Sequence, residues 1–223
     1  MEKITLIVAG GTGSRINAGI PKQFLLLGGY PVLMHTLDVF FRYDQHMRII
    51  LVLPENQIPA WQKLCRDHKF RISHDIRTGG ETRFHSVKKN LAEIPDHCLV
   101  AIHDGVRPLV SLATIDRCFR SALAFGNAIP CVDIPETLRR IDEKGTMQVD
   151  RTKFRLIQTP QVFESGILKR AYLQEYQSDF TDDAGVVESQ GHKIHLVEGN
   201  PENIKITYPK DLKVASSLLQ ASD

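Results

Sequence analysis

Residues 6–15 read Leu6-Ile7-Val8-Ala9-Gly10-Gly11-Thr12-Gly13-Ser14-Arg15, and residues 21–24 read Pro21-Lys22-Gln23-Phe24. The apolar run that leads into the glycines, from Ile4 to Val8, predicts a buried strand. Three glycines in four positions permit backbone angles that other residues avoid, and their N–H groups can converge on an anion. Arg15 and Lys22 add positive charge nearby. The stretch therefore predicts a phosphate ligand, and a nucleotide is the favoured one.

Two better-known glycine loops fit this stretch badly. In the dinucleotide fingerprint G-x-G-x-x-G, the third glycine would fall on Ile16, and the Gly-Lys-Ser/Thr ending of the P-loop is absent. An NAD-linked oxidoreductase is therefore disfavoured, with Glu55 a weak candidate for the acidic residue that such an enzyme needs. An ordinary strand-to-helix turn with solvated charges remains open as the alternative.

Composition excludes several classes of protein. The chain has 223 residues, 42% of them hydrophobic, and a formal net charge of +2. The sequence has no basic stripe interleaved with aromatic residues, so it gives no sign of a nucleic-acid partner. It also has no apolar run long enough for a membrane span or a signal peptide. We therefore expect a cytoplasmic protein that binds neither nucleic acid nor membrane. The four cysteines are scattered without metal-ligand spacing, which is typical of reduced thiols.

The rest of the chain alternates predicted strands and helices. Strands are expected at 48–53, 70–73, 98–102, 127–132, 193–197 and 203–207. Helices are expected at 32–42, 57–68, 112–125, 165–176 and 208–219, with another through Ser86, Val87, Leu91 and Ile94 and a further one beginning at Thr181. This alternation favours one α/β domain over residues 1–223, with a mostly parallel sheet flanked by helices.

Two further loops follow predicted strands and are candidate ligand-binding segments. Gly79-Gly80-Glu81-Thr82-Arg83 precedes a helix that carries Ser86, and His103-Asp104-Gly105-Val106-Arg107-Pro108 follows a buried strand. Ligands of parallel sheets bind beyond the carboxyl ends of the strands, so these loops should lie beside the first one. Asp104 is a candidate near Mg²⁺, because Mg²⁺ prefers oxygen ligands. Local roles remain open: Glu81 can satisfy a helix dipole, and His103 can bond within its turn.

Three segments in the second half of the chain carry less specific signals. Residues 133–155 contain two short strands around a glycine turn, which predicts a β-hairpin arm that needs a surface to lie on, such as a second subunit. Arg151 is either an anion ligand or a solvated side chain. Asp182 and Asp183 either cap a helix behind Thr181 or bind a polyol. Lys205 lies between two isoleucines and faces a groove or solvent.

Taken in order, these motifs span nearly the whole chain and resemble one family, that of 2-C-methyl-D-erythritol 4-phosphate cytidylyltransferases. The residues that carry the resemblance are Ala9-Gly10-Gly11-x-Gly13-Ser14-Arg15, Pro21-Lys22-Gln23-Phe24, Gly79-Gly80-Glu81-x-Arg83-x-x-Ser86, His103-Asp104-Gly105-Val106-Arg107-Pro108, Asp150-Arg151, Thr159-Pro160-Gln161, Thr181-Asp182-Asp183-Ala184 and Asn203-Ile204-Lys205-Ile206-Thr207. The resemblance implies a Rossmann-like α/β sheet with a hairpin arm that embraces a second subunit. It also implies transfer of a cytidylyl group from CTP to a polyol phosphate, with Mg²⁺ and release of pyrophosphate.

The resemblance assigns roles to individual positions. Arg15 and Lys22 match the pair that stabilises the transition state at the α-phosphate, and Arg151 and Lys205 match residues that position the substrate. The nucleotide site is implied at Ala9, Gly10, Gly11, Gly13, Gly80, Glu81, Ser86, Asp104 and Val106. Thr137 and Arg151 match residues that the arm gives to the neighbouring subunit, and Asp182 and Asp183 complete the implied substrate site.

The implied chemistry suits the residues present. A phosphate monoester has its second pKa near 6, so it attacks as an anion and needs no Ser, Cys or His base. Positioning and cationic charge then lower the barrier, as in other phosphoryl transfers. Because Val8-Ala9-Gly10-Gly11 also resembles ribitol-5-phosphate cytidylyltransferase, ribitol 5-phosphate remains the alternative substrate. A module that binds CTP without catalysis is disfavoured by the presence of both Arg15 and Lys22.

Overall fold

A computed structural model describes residues 1–10, 20–143 and 145–220 of the chain. Its strands are β1 (Glu2–Val8), β2 (Leu26–Leu27), β3 (Tyr30–Pro31), β4 (Arg48–Leu53), β5 (Asp75–Thr78), β6 (Cys98–Asp104), β7 (Asn127–Val132), β8 (Leu138–Asp142), β9 (Gly145–Val149), β10 (Leu156–Ile157), β11 (Gln161–Glu164) and β12 (Leu196–Glu198). Its α-helices are α1 (Val32–Tyr43), α2 (Ile58–Asp67), α3 (Arg83–Leu91), α4 (Leu112–Phe125), α5 (Ser165–Ala171), α6 (Asp183–Glu188) and α7 (Pro209–Gln220).

The central sheet is mostly parallel, as the alternation of elements predicts. Within the described ranges its strands lie in the order β10-β7-β11-β6-β1-β4-β5, with β12 beside β7. Strand β1 pairs in parallel with β4 and with β6, whereas β11 runs antiparallel between β6 and β7. Val8 and Asp104 are register partners, so the first glycine loop and the turn after β6 leave the sheet side by side. This confirms the Rossmann-like α/β class and the clustering of the strand-end loops.

Both faces of the sheet are covered, which explains the unbroken apolar runs of its strands. Along β1, Ile7 packs into one cluster with residues of α1, α2 and α4, while Ile4 and Leu6 pack into another with residues of α3, α5 and α6. Trp61 is fully buried in the first cluster, as expected for a packing residue. The division follows the period of two that places successive side chains of a strand on opposite faces.

The predicted hairpin is present, and its strands β8 and β9 pair with each other in a separate two-stranded sheet. Nearly every described residue in it is exposed, including Ile141, which is 78% exposed. The prediction that it acts as a dimerisation arm concerns a second subunit and stays a prediction.

The strand predicted at 70–73 is wrong, because the pairing segment is Asp75–Thr78, which aligns with Ile50 to Leu53. The preceding residues form an irregular connection in which the His74 ring bonds the carbonyl of Ile72. The predicted strand at 203–207 is also wrong. That segment is irregular. The Ile206 N–H donates to the carbonyl of Val106, but this hydrogen bond is not part of a β-sheet.

Other boundaries in the second half of the chain also differ from the prediction. The helix expected to reach Tyr176 ends at Ala171, and the strand expected at 193–197 is Leu196–Glu198. Asp182, and not Thr181, is the N-cap of α6, because its carboxylate accepts from the backbone N–H of Gly185 at 2.9 Å. In the described part of the chain, each helix is too short or too polar to span a bilayer.

Candidate active site

A cleft of about 280 Å³ opens at the carboxyl ends of β1 and β6. Its lining draws on all three strand-end loops that the sequence predicts to meet. The lining residues are Val8, Ala9, Gly10, Lys22, Gln23, Pro54, Gly79, Gly80, Glu81, Thr82, Arg83, Ser86, Asp104, Val106 and Lys205. All predicted nucleotide-site residues that the structure describes are in this set, together with Lys22 and Lys205. Gly11, Gly13 and Arg15 lie outside the described residues.

The first loop is fixed from both sides where it leaves β1. The Ala9 N–H donates to the carbonyl of Val52 at 2.9 Å, and its own carbonyl accepts from the Gln23 amide at 2.8 Å. Gln23 belongs to a short 3-10 turn, Lys22–Phe24, which places the mostly buried Lys22 at the wall of the cleft. The bulky apolar side chain of Phe24 anchors that turn by packing near Trp61, with ring centroids 6.1 Å apart.

The second loop packs tightly against the beginning of α3. Thr82 caps the helix, and the Ser86 hydroxyl donates to the Thr82 carbonyl at 2.9 Å while it accepts from the Gly80 N–H at 3.0 Å. A Cβ on Gly80 would lie 2.7 Å from the Cβ of His85, so only glycine fits there. Ser86 therefore shapes the loop from within, and Glu81 stays exposed at its edge.

Asp104 lies at the floor of the cleft and is contacted by three cationic side chains. Its carboxylate is 2.9 Å from Lys205 Nζ, 3.5 Å from Arg83 Nε and 3.4 Å from Arg107 Nε. Burial acts to raise the pKa of Asp104, but Arg83, Lys205 and Arg107 together hold it well below its usual range. Asp104 is thus a permanent anion, and Lys205 faces the groove, which was one of the two orientations expected for it.

A buried polar layer supports Asp104 from behind. The Asp104 N–H donates to the Thr159 hydroxyl at 3.1 Å, and that oxygen is 3.0 Å from His103 Nδ1. Burial lowers the pKa of His103 to about 4, so the ring is neutral at physiological pH, and its other nitrogen is 3.0 Å from the carbonyl of Arg107. His103 is therefore a local hydrogen-bonding residue, one of the roles that the sequence left open.

The close approach of the first and third loops requires a glycine after Asp104. A Cβ on Gly105 would lie 2.8 Å from the Cβ of Ala9 and 3.1 Å from Leu33 Cδ1. The Gly105 N–H donates to the carbonyl of Val8 at 2.9 Å. The contact with Ala9 is the structural reason for a glycine after Asp104.

The two acidic residues at the start of α6 lie beside the cleft without lining it. Asp182 caps the helix and accepts from the Gln161 amide at 2.7 Å. Asp183 is fully buried and accepts from Arg83 Nη2 at 2.6 Å. Sequence reasoning proposed capping or polyol binding for this pair and missed the ion pair with Arg83, because its partners are 100 positions apart.

The arm residues Thr137 and Arg151 are exposed and do not line the cleft. Arg151 donates to the backbone carbonyl of Pro135, within the arm. The structure of one chain therefore does not bring them to the other predicted site residues.

Over residues 1–10, 20–143 and 145–220, no group of three or more His, Cys, Asp or Glu side chains is placed to hold a metal ion. The four cysteines are free thiols, as the sequence predicts. The cleft presents Asp104 at its floor and Glu81 at its exposed edge. Such a donor set fits Mg²⁺ only where phosphate oxygens of a ligand supply most of its coordination.

Comparison with known proteins identifies relatives over the full length of the fold. Residues 4–221 match the family model IspD, described as 2-C-methyl-D-erythritol 4-phosphate cytidylyltransferase. The enzyme of that name from Bacteroides fragilis is 55% identical over 219 residues, which are 98% of this chain and 100% of that protein. The one from Bacillus pumilus is 36% identical over 97% of this chain and 96% of its own length.

Solved structures give the same result. The crystal structure of the enzyme of this name from Thermus thermophilus has a TM-score of 0.80 and 32% identity, covering 99% of this chain and 100% of that one. The crystal structure of 4-diphosphocytidyl-2C-methyl-D-erythritol synthase from Anaerococcus prevotii has a TM-score of 0.83 and 26% identity, covering 98% of this chain and 96% of that one.

Proposed function

The chain belongs to the IspD family of 2-C-methyl-D-erythritol 4-phosphate cytidylyltransferases, and we propose that the cleft at the ends of β1 and β6 carries out its reaction. The enzyme condenses CTP with 2-C-methyl-D-erythritol 4-phosphate to give 4-diphosphocytidyl-2-C-methyl-D-erythritol and pyrophosphate, a step of isoprenoid biosynthesis. One observation supports the location most directly. Lys22, Arg83 and Lys205 surround a small cleft between two glycine-containing loops, as binding of a nucleoside triphosphate requires.

The proposed mechanism needs no enzymic nucleophile. The substrate phosphate is an anion at neutral pH and attacks the α-phosphorus of CTP directly, while the bond to pyrophosphate breaks. Ser86 has its hydroxyl committed to Gly80 and Thr82, so it serves the loop and not the reaction. The rate is limited by the repulsion between the two polyanions as they approach each other. Positive charge and positioning in the cleft lower this barrier.

Lys22 and Lys205 have separate roles in this proposal. Lys22, with Arg15, stabilises the charge that develops on the α-phosphate. The Lys205 side chain is 44% exposed, and its Asp104 partner is at the cleft floor, so the ammonium is available to a phosphate entering from solvent. We assign Lys205, with Arg151, to holding the phosphate of the polyol in line for attack.

A divalent metal, Mg²⁺, is part of the proposal. Asp104 would offer it one carboxylate oxygen and the triphosphate most of the others, and the ion would neutralise charge on the departing pyrophosphate. Asp104 is ionised whenever such an ion arrives, because its neighbouring cations keep its pKa low.

We further propose that the enzyme is a homodimer in the cytoplasm, and that residues 1–223 form a single domain with residues 133–155 as its arm. The arm would deliver Thr137 and Arg151 to the cleft of the other subunit. Its exposure supports this, since an isolated two-stranded hairpin is marginally stable in water.

The test of function is pyrophosphate release by the purified protein with CTP and Mg²⁺. Methylerythritol 4-phosphate and ribitol 5-phosphate are supplied in parallel, and formation of each CDP-alcohol is followed directly. We expect a strong preference for methylerythritol 4-phosphate. A preference for ribitol 5-phosphate would keep the site but change the substrate, and no release with either would contradict the proposal.

A further inference from the structure

A buried path of contacts connects the cleft to a carboxylate that does not line it. Arg83 is the first residue of α3 and lines the cleft with 27% of its side chain exposed. Its Nη2 donates to Asp183 Oδ2 at 2.6 Å, and its Nε lies 3.5 Å from Asp104 Oδ1. One guanidinium therefore joins a carboxylate at the cleft floor to a carboxylate with no exposed surface.

Tyr172 completes the environment of the buried carboxylate. Its hydroxyl donates to Asp183 Oδ1 at 2.6 Å, and its ring stacks on Phe84 with centroids 4.8 Å apart. Burial, together with the charge of Asp183, raises the pKa of Tyr172 well above its ordinary value, so the hydroxyl keeps its proton and remains a donor. Both oxygens of Asp183 are thus engaged, one by Tyr172 and one by Arg83.

These contacts fix the orientation of the guanidinium. Arg83, Tyr172 and Asp183 come from the start of α3, the end of α5 and the start of α6, so three helices converge on one ion pair. A guanidinium is planar, and contacts to Nε and Nη2 define the direction of its remaining N–H groups. Among the described residues none accepts a hydrogen bond from Arg83 Nη1, which leaves that donor for a ligand oxygen.

We propose that Asp183 and Tyr172 are positioning residues for CTP, and that they act through Arg83. The proposal rests on the function assigned above and deepens it. It also replaces direct polyol binding by Asp183, for which the buried carboxylate has no exposed oxygen. Without the charge of Asp183, Asp104 is the one carboxylate among the described residues that still pairs with Arg83. The guanidinium would turn toward Asp104, compete with Lys205 and leave its place in the cleft.

The variant Asp183→Asn tests this, because it keeps the shape of the side chain and removes its charge. A hydrogen bond to a charged group is worth about a ten- to hundredfold change in an equilibrium constant, so we expect the Kd of CTP, measured by calorimetry, to rise by about that factor. The KM for CTP should rise more than kcat falls. In an Arg83→Gln background, adding Asp183→Asn should change CTP affinity less than about threefold, because the contact that couples the two residues is already lost.

A purely structural role for Asp183 gives a different result. The thermal midpoint would then fall while CTP affinity is unchanged, or the loss of affinity would be equal with and without Arg83. Either result overturns the proposal.

The variant Tyr172→Phe covers the case in which Asp183→Asn fails to fold. It keeps the ring on Phe84, and loss of one neutral donor should raise the Kd of CTP about three- to tenfold. Tyr43→Phe is the matched control, since Tyr43 stacks on Phe119 at 5.6 Å and its hydroxyl contacts Asp116 at 3.4 Å, away from the cleft. We expect its CTP affinity to be unchanged.

The wild-type protein separates failure of this inference from failure of the proposed function. Unchanged CTP affinity in Tyr172→Phe, in an enzyme whose wild type releases pyrophosphate, overturns the positioning role alone. A wild type that neither binds CTP nor releases pyrophosphate overturns both.

Discussion

The floor of the cleft and the hairpin arm both carry charged side chains, but they hold them in different ways. Asp104 has 10% of its side chain exposed and contacts three cations, of which Arg83 and Lys205 come from distant parts of the chain. In the arm, Arg140 and Asp142 pair at 3.2 Å with 62% and 42% of their side chains exposed. The first arrangement is held by the packing of the domain, whereas the second is open to water and to screening by salt.

The two regions therefore obtain their geometry from different sources. The described part of the cleft is organised by contacts within the chain, such as Asp104 with Thr159 and Gln23 with Ala9. In the arm, Ile141 and Met147 are exposed, and within the described residues its strands pair only with each other. We therefore expect substitutions in the cleft to act on catalysis and stability within one chain, and those in the arm to act through a second chain.

The largest expected effect is that of Lys22→Ala on catalysis. Loss of one preorganised cation at the α-phosphate should lower kcat by about 10²–10³, with the fold intact by circular dichroism. Lys63→Ala is the control, because Lys63 is an exposed residue of α2 that pairs with Asp67. Turnover of Lys22→Ala near that of the wild type, measured as pyrophosphate release, would contradict the assignment.

The variant Asp104→Asn should lower the free energy of unfolding by about 3 kcal/mol, because it leaves mutually repelling cations at a mostly buried site. The pKa of Asp104 is lower in the folded than in the unfolded chain, so its charge stabilises the fold above about pH 4 and this contribution is lost as the pH falls further. Denaturant titrations should therefore show a difference between wild type and variant at pH 7 that shrinks toward pH 2. A difference independent of pH would argue against the charge network.

Arg151→Ala should lower kcat/KM for the polyol phosphate about ten- to hundredfold, as expected for loss of a charged contact to phosphate. The KM for CTP should change little. Arg139→Ala is the matched control from the same arm, because Arg139 bonds Thr146 within the hairpin. Equal effects of the two substitutions would assign Arg151 to the folding of the arm.

The smallest expected effect is that of Asp142→Asn on stability. An exposed ion pair contributes little, so the free energy of unfolding should change by less than about 0.5 kcal/mol. A loss as large as that of Asp104→Asn would show that the arm is organised by charge after all, and would remove the contrast between the two regions.

Much of the cleft could be predicted from the sequence because its residues directly follow apolar strands. Ala9 follows β1 and Asp104 ends β6, and parallel pairing brings such strand ends together whatever the details of packing. The glycine requirement at Gly80 and Gly105 depends on contacts with His85 and Ala9 that only the folded chain supplies. The ion pair of Asp183 was missed for the same reason, because its partner Arg83 is distant in sequence.

The errors in the fold have a similar origin. The apolar residues Phe70 and Ile72 predict a strand, but they pack beside Trp61 from an irregular segment. Ile204 and Ile206 likewise predict a strand, yet they pack against the cluster that contains Leu27 and Val32 without joining a sheet. An apolar pattern indicates burial, and backbone pairing then depends on which strand edges are available.

Mixing of two impaired variants shows whether one active site draws residues from both subunits. If the cleft of one chain is completed by the arm of another, a heterodimer of Lys22→Ala and Arg151→Ala has one intact site and one doubly altered site. Random reassociation of equal amounts should then restore about a quarter of wild-type pyrophosphate release, since half of the dimers are mixed. No recovery above the separate variants, with mixed dimers demonstrated by mass spectrometry, would contradict the account, because Lys22 and Arg151 would then act within the same chain.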